Sequence, residues 1–241
     1  MPDERPHILC TRVLDDALIR SAADKGLQLE CRPFIRTGPA LTPSLEQTLK
    51  SLFGKSITAV FTSVHAVETV ASCPPRPGGS TGWHIACLAG TTQTAAASAF
   101  PGADIIALGA DAGTLAGALL EVPGLQEVYF FCGNLRRDEL PRRLSAAGIT
   151  VNELKVYETV PVPATVPEEF DGICFFSPSA VKSFFTLNRL PAATVCFAIG
   201  GTTARELDAF TGNPVVVSPK PNAAQLLDTI ADYFKNNNRH A

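Results

Sequence analysis

The sequence predicts an α/β protein with two lobes, each built on a parallel sheet, and three observations predict it. Short apolar runs alternate with amphipathic stretches along most of the chain, the rhythm of strand and helix in turn. The apolar runs are nearly continuous rather than alternating, as expected of strands covered by helices on both faces. The chain also reads twice. Phe61-Thr62-Ser63-Val64-His65-Ala66-Val67 returns as Phe175-Phe176-Ser177-Pro178-Ser179-Ala180-Val181. Gly90-Thr91-Thr92 with Phe100 returns as Gly200-Gly201-Thr202-Thr203 with Phe210, and Ile8-Leu9-Cys10 as Phe130-Phe131-Cys132. Three echoes in a consistent order, roughly half a chain apart, mark a duplicated unit far longer than a solenoid repeat. Two similar lobes imply a cleft, where ligands commonly sit.

The elements follow in order. His7–Thr11 reads as a strand before a helix over Leu14–Lys25, and Thr58–Ser63 as a strand before Ala66–Ser72. Ile85–Leu88 precedes Thr94–Phe100, and Val128–Cys132 precedes Arg136–Ala147. In the second half Gly172–Phe176 leads into Ala180–Leu187, Val195–Gly200 into Ala204–Phe210, and Val215–Val217 into Ala223–Lys235.

Two segments break the rhythm. Pro33–Pro43 and Tyr157–Pro167 are proline-rich and read as extended connections. They bracket the middle of the chain, so the first strand and helix are expected to join the carboxy-terminal half. The expected lobes are residues 1–35 with 157–241, and 36–156. Cys73–Gly82, rich in proline and glycine, reads as a surface loop without chemistry.

Composition narrows the function. The 241 residues are 46% hydrophobic and 18% charged, enough to bury a core, with a net charge of −3. That balance carries no electrostatic footprint for nucleic acid. Met1-Pro2-Asp3-Glu4-Arg5 is charged and no apolar run is long enough to span a bilayer, so a cytoplasmic protein with no membrane partner is expected. The seven cysteines show no C-x-x-C spacing, and five lie in strand-like runs (Cys10, Cys87, Cys132, Cys174, Cys196). They read as buried free thiols.

The common catalytic signatures are missing. There is no G-x-G-x-x-G, no G-x-S-x-G elbow and no metal-ligand spacing among His7, His65, His84 and His240. Gly54-Lys55-Ser56 lacks the upstream glycine of a P-loop, since Leu49 stands there. His65 reads as an exposed or capping residue and Trp83 as packing. What remains is a set of strand-to-helix turns bearing hydroxyls, glycines or amides: Thr11, Ser63, Thr91, Thr92, Gly133, Asn134, Ser177, Ser179, Thr202 and Thr203. Each hydroxyl is first an N-cap candidate. Together, at the carboxyl ends of parallel strands, they make a row of helix starts that attracts carboxylates or phosphates without net positive charge. Tyr157 stands apart, at the end of the apolar run Leu154–Val156; a neutral phenol there can donate a proton or hydrogen bond.

These motifs resemble those of the uroporphyrinogen-III synthase family. The resemblance rests on Cys132-Gly133-Asn134-Leu135-Arg136-Arg137 with Val156-Tyr157-Glu158-Thr159, on Phe176-Ser177-Pro178-Ser179-Ala180-Val181, on Ala198-Ile199-Gly200-Gly201-Thr202-Thr203-Ala204, on Ser218-Pro219-Lys220-Pro221, and on Thr11-Arg12. It implies two flavodoxin-like lobes with parallel sheets, joined by a two-stranded connector. It also implies cofactor-free, metal-free cyclisation of hydroxymethylbilane, a linear tetrapyrrole polycarboxylate, by a monomer, with inversion of the last pyrrole ring and loss of water. The proton donor carries over onto Tyr157, and the hydroxyls of the cleft onto Ser63, Ser177, Thr202 and Thr203. Within the matched turns, Thr11, Arg12, Gly133, Asn134, Arg137 and Ser179 complete the expected substrate-binding set. The first-half threonine is Thr92 if the strands are aligned by length, whereas counting three residues from Gly90 gives Gln93. Two other readings share the fold: a non-catalytic two-lobed binding protein, and a flavin-binding flavodoxin relative.

Overall fold

The computed structural model describes residues 5–73 and 82–237. The loop expected over Cys73–Gly82 falls mostly on 74–81, outside the described residues, as do His240 and residues 1–4.

The chain opens with β1 (His7–Cys10), α1 (Asp16–Asp24), β2 (Gln28–Cys31) and β3 (Ile35–Pro39). It continues through α2 (Pro43–Phe53), β4 (Thr58–Phe61), α3 (Val64–Ser72), β5 (His84–Leu88), α4 (Thr91–Ala99), β6 (Asp104–Gly109), α5 (Ala112–Leu120), β7 (Glu127–Gly133), α6 (Glu139–Ala146) and β8 (Thr150–Pro161). The last elements are β9 (Gly172–Phe175), α7 (Pro178–Phe185), β10 (Val195–Ala198), α8 (Gly201–Leu207), β11 (Val215–Val217) and α9 (Ala223–Asn237). The chain divides into two compact units, Met1–Arg36 with Val160–Ala241, and Thr37–Thr159.

The first unit holds a five-stranded sheet in the order β11-β10-β9-β1-β2, parallel throughout. The second holds six strands in the order β3-β8-β7-β4-β5-β6. Read from the other edge, β6-β5-β4-β7-β8 repeats the order of the first sheet, with β1 and β2 in the places of β7 and β8. The duplicated motifs fall at matching places: Phe61 ends β4 as Phe175 ends β9, and Ser63 caps α3 as Ser177 caps α7.

One pairing is not parallel. Ala40 N donates to Val156 O at 2.9 Å, Val162 N to Phe34 O at 2.8 Å, and the Thr37 and Thr159 hydroxyls meet at 2.9 Å. Each step forward on β3 matches a step back on β8, so these strands run antiparallel. The two segments read as extended connections are thus paired strands, and β8 runs on to Pro161 rather than stopping before Tyr157. The boundary between the units falls after Thr159, which leaves Tyr157 in the second unit, because the ladder from β7 and the Thr37–Thr159 contact hold it there.

Each sheet is covered on both faces. In the second unit Ala59, Phe61 and Phe131 pack on one side with Trp83, while Val60, Phe130 and Cys132 pack on the other. That alternation is the period of two expected along a strand. The first unit repeats it, with Ile8 and Cys10 facing α1 and α9, and Leu9 facing Phe34 and α7.

All seven cysteines are free thiols; Cys31 is half-buried and the rest are buried. Burial pushes Cys132 up to about 11 and Cys196 up to about 12 from an ordinary 9.0. Thiols raised on folding stay neutral in the folded chain while the unfolded chain ionises. Their contribution to stability is therefore intact below about pH 9 and is lost as pH climbs from there toward about 12. We expect the urea midpoint to be flat from about pH 7 to 8.5 and to fall by about pH 10.5. A midpoint unchanged at the higher pH would contradict it.

Candidate functional site

In the second unit the carboxyl ends of β7, β4, β5 and β6 form one rim. Tyr157 on β8 stands beside that rim, half-buried. Its placement follows from an irregularity: the β7–β8 register runs residue for residue to Cys132↔Lys155 and then shifts, so that Gly133 lies opposite Tyr157. A Cβ added at Gly133 would lie 2.5 Å from Cε2 and Cζ of the Tyr157 ring and 2.9 Å from its Oη. Gly133 is thus the floor on which the phenol lies, and no side chain is compatible with that contact.

The backbone beyond the phenol is fastened separately. Asn134 Nδ2 donates to Thr159 O at 3.0 Å, and Thr159 N donates to Asn134 Oδ1 at 2.8 Å. The amide imitates another rung of the ladder where β7 has ended. Asn134, expected to bind substrate, has both ends of its side chain committed to β8, and so positions the strand that carries Tyr157.

Two pockets meet at the phenol. One, of about 350 Å³, is lined by Tyr157 with Thr62, Asp111, Leu135 and Arg137. The other, of about 320 Å³, is lined by Tyr157 with Thr37, His65, Glu68 and Thr69. Arg136 is paired with Asp138 and Glu153. Arg137 is exposed, makes no ion pair among the described residues, and adds its charge near Asp111. Asp111 is held below the usual carboxylate range chiefly by hydrogen bonds from Thr114, whose N–H donates at 2.7 Å in a capping box at the start of α5. Ser63 Oγ accepts from His65 N at 3.1 Å. Gly90 and Asp138 make no side-chain cap on α4 and α6, which leaves these helix starts without a side-chain acceptor.

The rim of the first unit is built alike. Arg12 is exposed, with its guanidinium 4.5 Å over the Phe176 ring. Ser177 Oγ accepts from Ala180 N at 3.2 Å and meets Ser179 Oγ at 3.0 Å. Thr202 is exposed at the uncapped start of α8. Thr11 differs from expectation: it is fully buried, and its hydroxyl and its N–H both donate to Cys174 O, at 3.0 and 3.1 Å. It ties β1 to β9 and is closed to any ligand.

Thr203 is buried at 3% exposure and Thr92 at 5%. Both face inward, each four residues before another buried helix position, Leu207 and Ala96 respectively. Thr92, and not the half-exposed Gln93, is therefore the structural counterpart of Thr203: Cys87, paired with Phe61, and Ala198, paired with Phe175, each stand five residues before it. Among the described residues no three His, Cys, Asp or Glu side chains converge in a way that would hold a metal ion, and no helix is long and apolar enough to cross a membrane.

Residues 16–228 match the family model described as uroporphyrinogen-III synthase HemD. The chain belongs to the uroporphyrinogen-III synthase family. Among its relatives is the uroporphyrinogen-III synthase of Saccharomyces cerevisiae, 34% identical over 125 residues. That alignment covers 44% of this chain and 46% of the yeast protein, so it spans about half the length of the relative. The fold is shared with a triple-variant uroporphyrinogen III synthase from Thermus thermophilus, at a TM-score of 0.69 and 17% identity, covering 96% of this chain and 99% of that one. It is shared equally with the uroporphyrinogen-III synthetase of Helicobacter pylori, at a TM-score of 0.68 and 16% identity, over 95% and 99% of the two chains. At such identities these structures speak for the architecture alone.

His65 is the neighbour that sequence reasoning missed. It was expected to be exposed or capping, and its side chain is indeed 58% exposed, yet its ring packs against Tyr157. The one visible hint was its place two residues after the cap Ser63.

Proposed function

We propose that the chain closes hydroxymethylbilane into uroporphyrinogen III, as a cyclising hydro-lyase, with Tyr157 as proton donor to the departing hydroxyl. The observation that carries this reading is the Tyr157 phenol, fastened over Gly133 where two pockets meet. The substrate is a linear chain of electron-rich pyrroles ending in a hydroxymethyl group. Its hydroxyl leaves readily once it takes a proton; phenol proton and hydroxyl depart together as water. The methylene left behind is electrophilic, and the last ring attacks it through the α-carbon that already carries its link to the third ring. That older carbon–carbon bond then breaks, and the methylene it releases, now electrophilic on the third ring, is attacked by the other α-carbon of the last ring, which turns the ring over. Loss of a proton then restores the aromatic ring, so the sum is substrate to product plus one water.

This chemistry asks little of side chains and much of position. Holding a flexible tetrapyrrole in one reactive geometry is an entropy problem, and orientation supplies several kcal/mol of such a barrier. The substrate's carboxylates suit what the rim of the second unit offers beside Tyr157, Arg137 and the uncapped starts of α4 and α6. The rim of the first unit, taken by itself, offers Arg12, Ser179 and Thr202 to the same kind of group. Ser63 and Ser177 contribute by fixing where α3 and α7 begin. Asn134 and Gly133 act through Tyr157, and buried Thr92, Thr203 and Thr11 support the turns from beneath.

The test is Tyr157→Phe, which removes the proton and keeps the ring. Turnover is expected to fall by about tenfold to a hundredfold, the lower range for a general acid. Unchanged turnover in a folded variant would reduce Tyr157 to packing.

A further inference from the structure

We infer that His65 is a positioning residue for the reaction, acting through Tyr157, with Ser63 anchoring the backbone turn that carries it. The inference rests on the reading of Tyr157 as proton donor and goes beyond it. Besides packing on the buried cluster of the second unit, the phenol ring meets two neighbours of different kinds. One is the Gly133 backbone, which bars any movement toward β7. The other is the His65 imidazole, whose centroid lies 5.7 Å from the phenol centroid with the planes tilted by 52°.

A half-buried tyrosine at the mouth of two pockets needs such a second contact. Without it the ring can swing into the 320 Å³ pocket, which His65 and Tyr157 both line. The backbone of His65 is itself fixed. Its backbone N–H donates to Ser63 Oγ at 3.1 Å, locking the first turn of α3. One turn further, Glu68 Oε2 lies 3.6 Å from His65 Nδ1 with both side chains largely exposed. The capped turn sets where the imidazole stands, and the imidazole in turn bounds the phenol. The echo of His65 in the other half of the duplication is Ser179, which has no ring to offer, so the device belongs to one unit only.

The experiment is a double-mutant cycle. His65→Ala should lower kcat by about tenfold while KM moves by no more than about twofold, because a misplaced acid slows chemistry without loosening the substrate. His65→Phe, which keeps a flat ring on the phenol and discards the ionisable nitrogens, should recover most of that loss. In the Tyr157→Phe background His65→Ala should change kcat by less than about twofold, since the proton it helps to aim is already gone. Melting curves of each variant identify loss of fold. The inference is overturned if His65→Ala leaves kcat unchanged, if it costs the same factor in both backgrounds, or if His65→Phe is no better than alanine. A silent Tyr157→Phe would overturn the proton-donor reading and this inference together. An impaired Tyr157→Phe beside a silent His65→Ala would overturn this inference alone.

Discussion

Gly133→Ala is expected to lower turnover by about a hundredfold, as far as or beyond Tyr157→Phe, although it adds a single methyl group. The added carbon would lie 2.5 Å from two carbons of the Tyr157 ring, well inside any real contact. Gly133 is buried and at a register shift, so β7 has little freedom to retreat. The phenol must move instead. Displacement of a reacting group by about 1 Å commonly costs about a hundredfold. Overpacking should also remove about 1–3 kcal/mol of stability. Gly54→Ala is the control, because nothing lies within 4 Å of its added carbon, and it should keep normal turnover. Wild-type turnover in Gly133→Ala would mean that the ring does not lie where the chemistry needs it.

The second large effect is on stability. Trp83→Ala should destabilise the second unit by about 3–5 kcal/mol. The indole is 1% exposed, stacks on Phe53 at 5.1 Å and Phe131 at 5.6 Å, and tilts against Phe100 at 5.3 Å. Its Nε1 donates to Leu52 O at 3.0 Å, a carbonyl at the end of α2 that also accepts from Lys55 N at 3.0 Å. Alanine therefore opens a cavity among rings and removes one donor from that carbonyl, which keeps its backbone partners. Trp83→Phe keeps the stacking and loses the hydrogen bond, so it should cost about 1–2 kcal/mol. Urea unfolding followed by circular dichroism separates the two variants; equal midpoints for both would contradict this description of the core.

Much of the fold was legible because its signals are local. Phe61 and Phe175 close apolar runs before Ser63 and Ser177, and a serine just before an amphipathic stretch is a helix start wherever it occurs. Other elements escaped for equally physical reasons. Ala112–Leu120 is apolar on nearly every side, with both flanks of α5 packed, so it has no stripe to detect. Thr42 caps α2 and Pro43 opens its first turn, but in the sequence this start merges with the prolines of the preceding extended segment. The same prolines hid β3, an edge strand that tolerates Pro39 at its end.

The site was less legible than the fold. Sequence can propose that Asn134 meets a ligand, yet its amide is spent on Thr159, twenty-five residues away, through a pairing that only the β7–β8 ladder creates. Thr11 likewise looks available on a turn until β9 arrives beside it and takes its hydroxyl. Gly133 was expected among substrate contacts, and its significance lies instead in what a side chain there would strike. His65 carried no motif at all. In each case the missing information was a neighbour from another strand or helix.

The most direct test of the account is the isomer composition of the product. Purified protein would be supplied with enzymatically generated hydroxymethylbilane, and the oxidised porphyrins separated. The type III isomer is expected to dominate, as inversion of the last ring requires. A mixture no richer in type III than spontaneous cyclisation gives would contradict it.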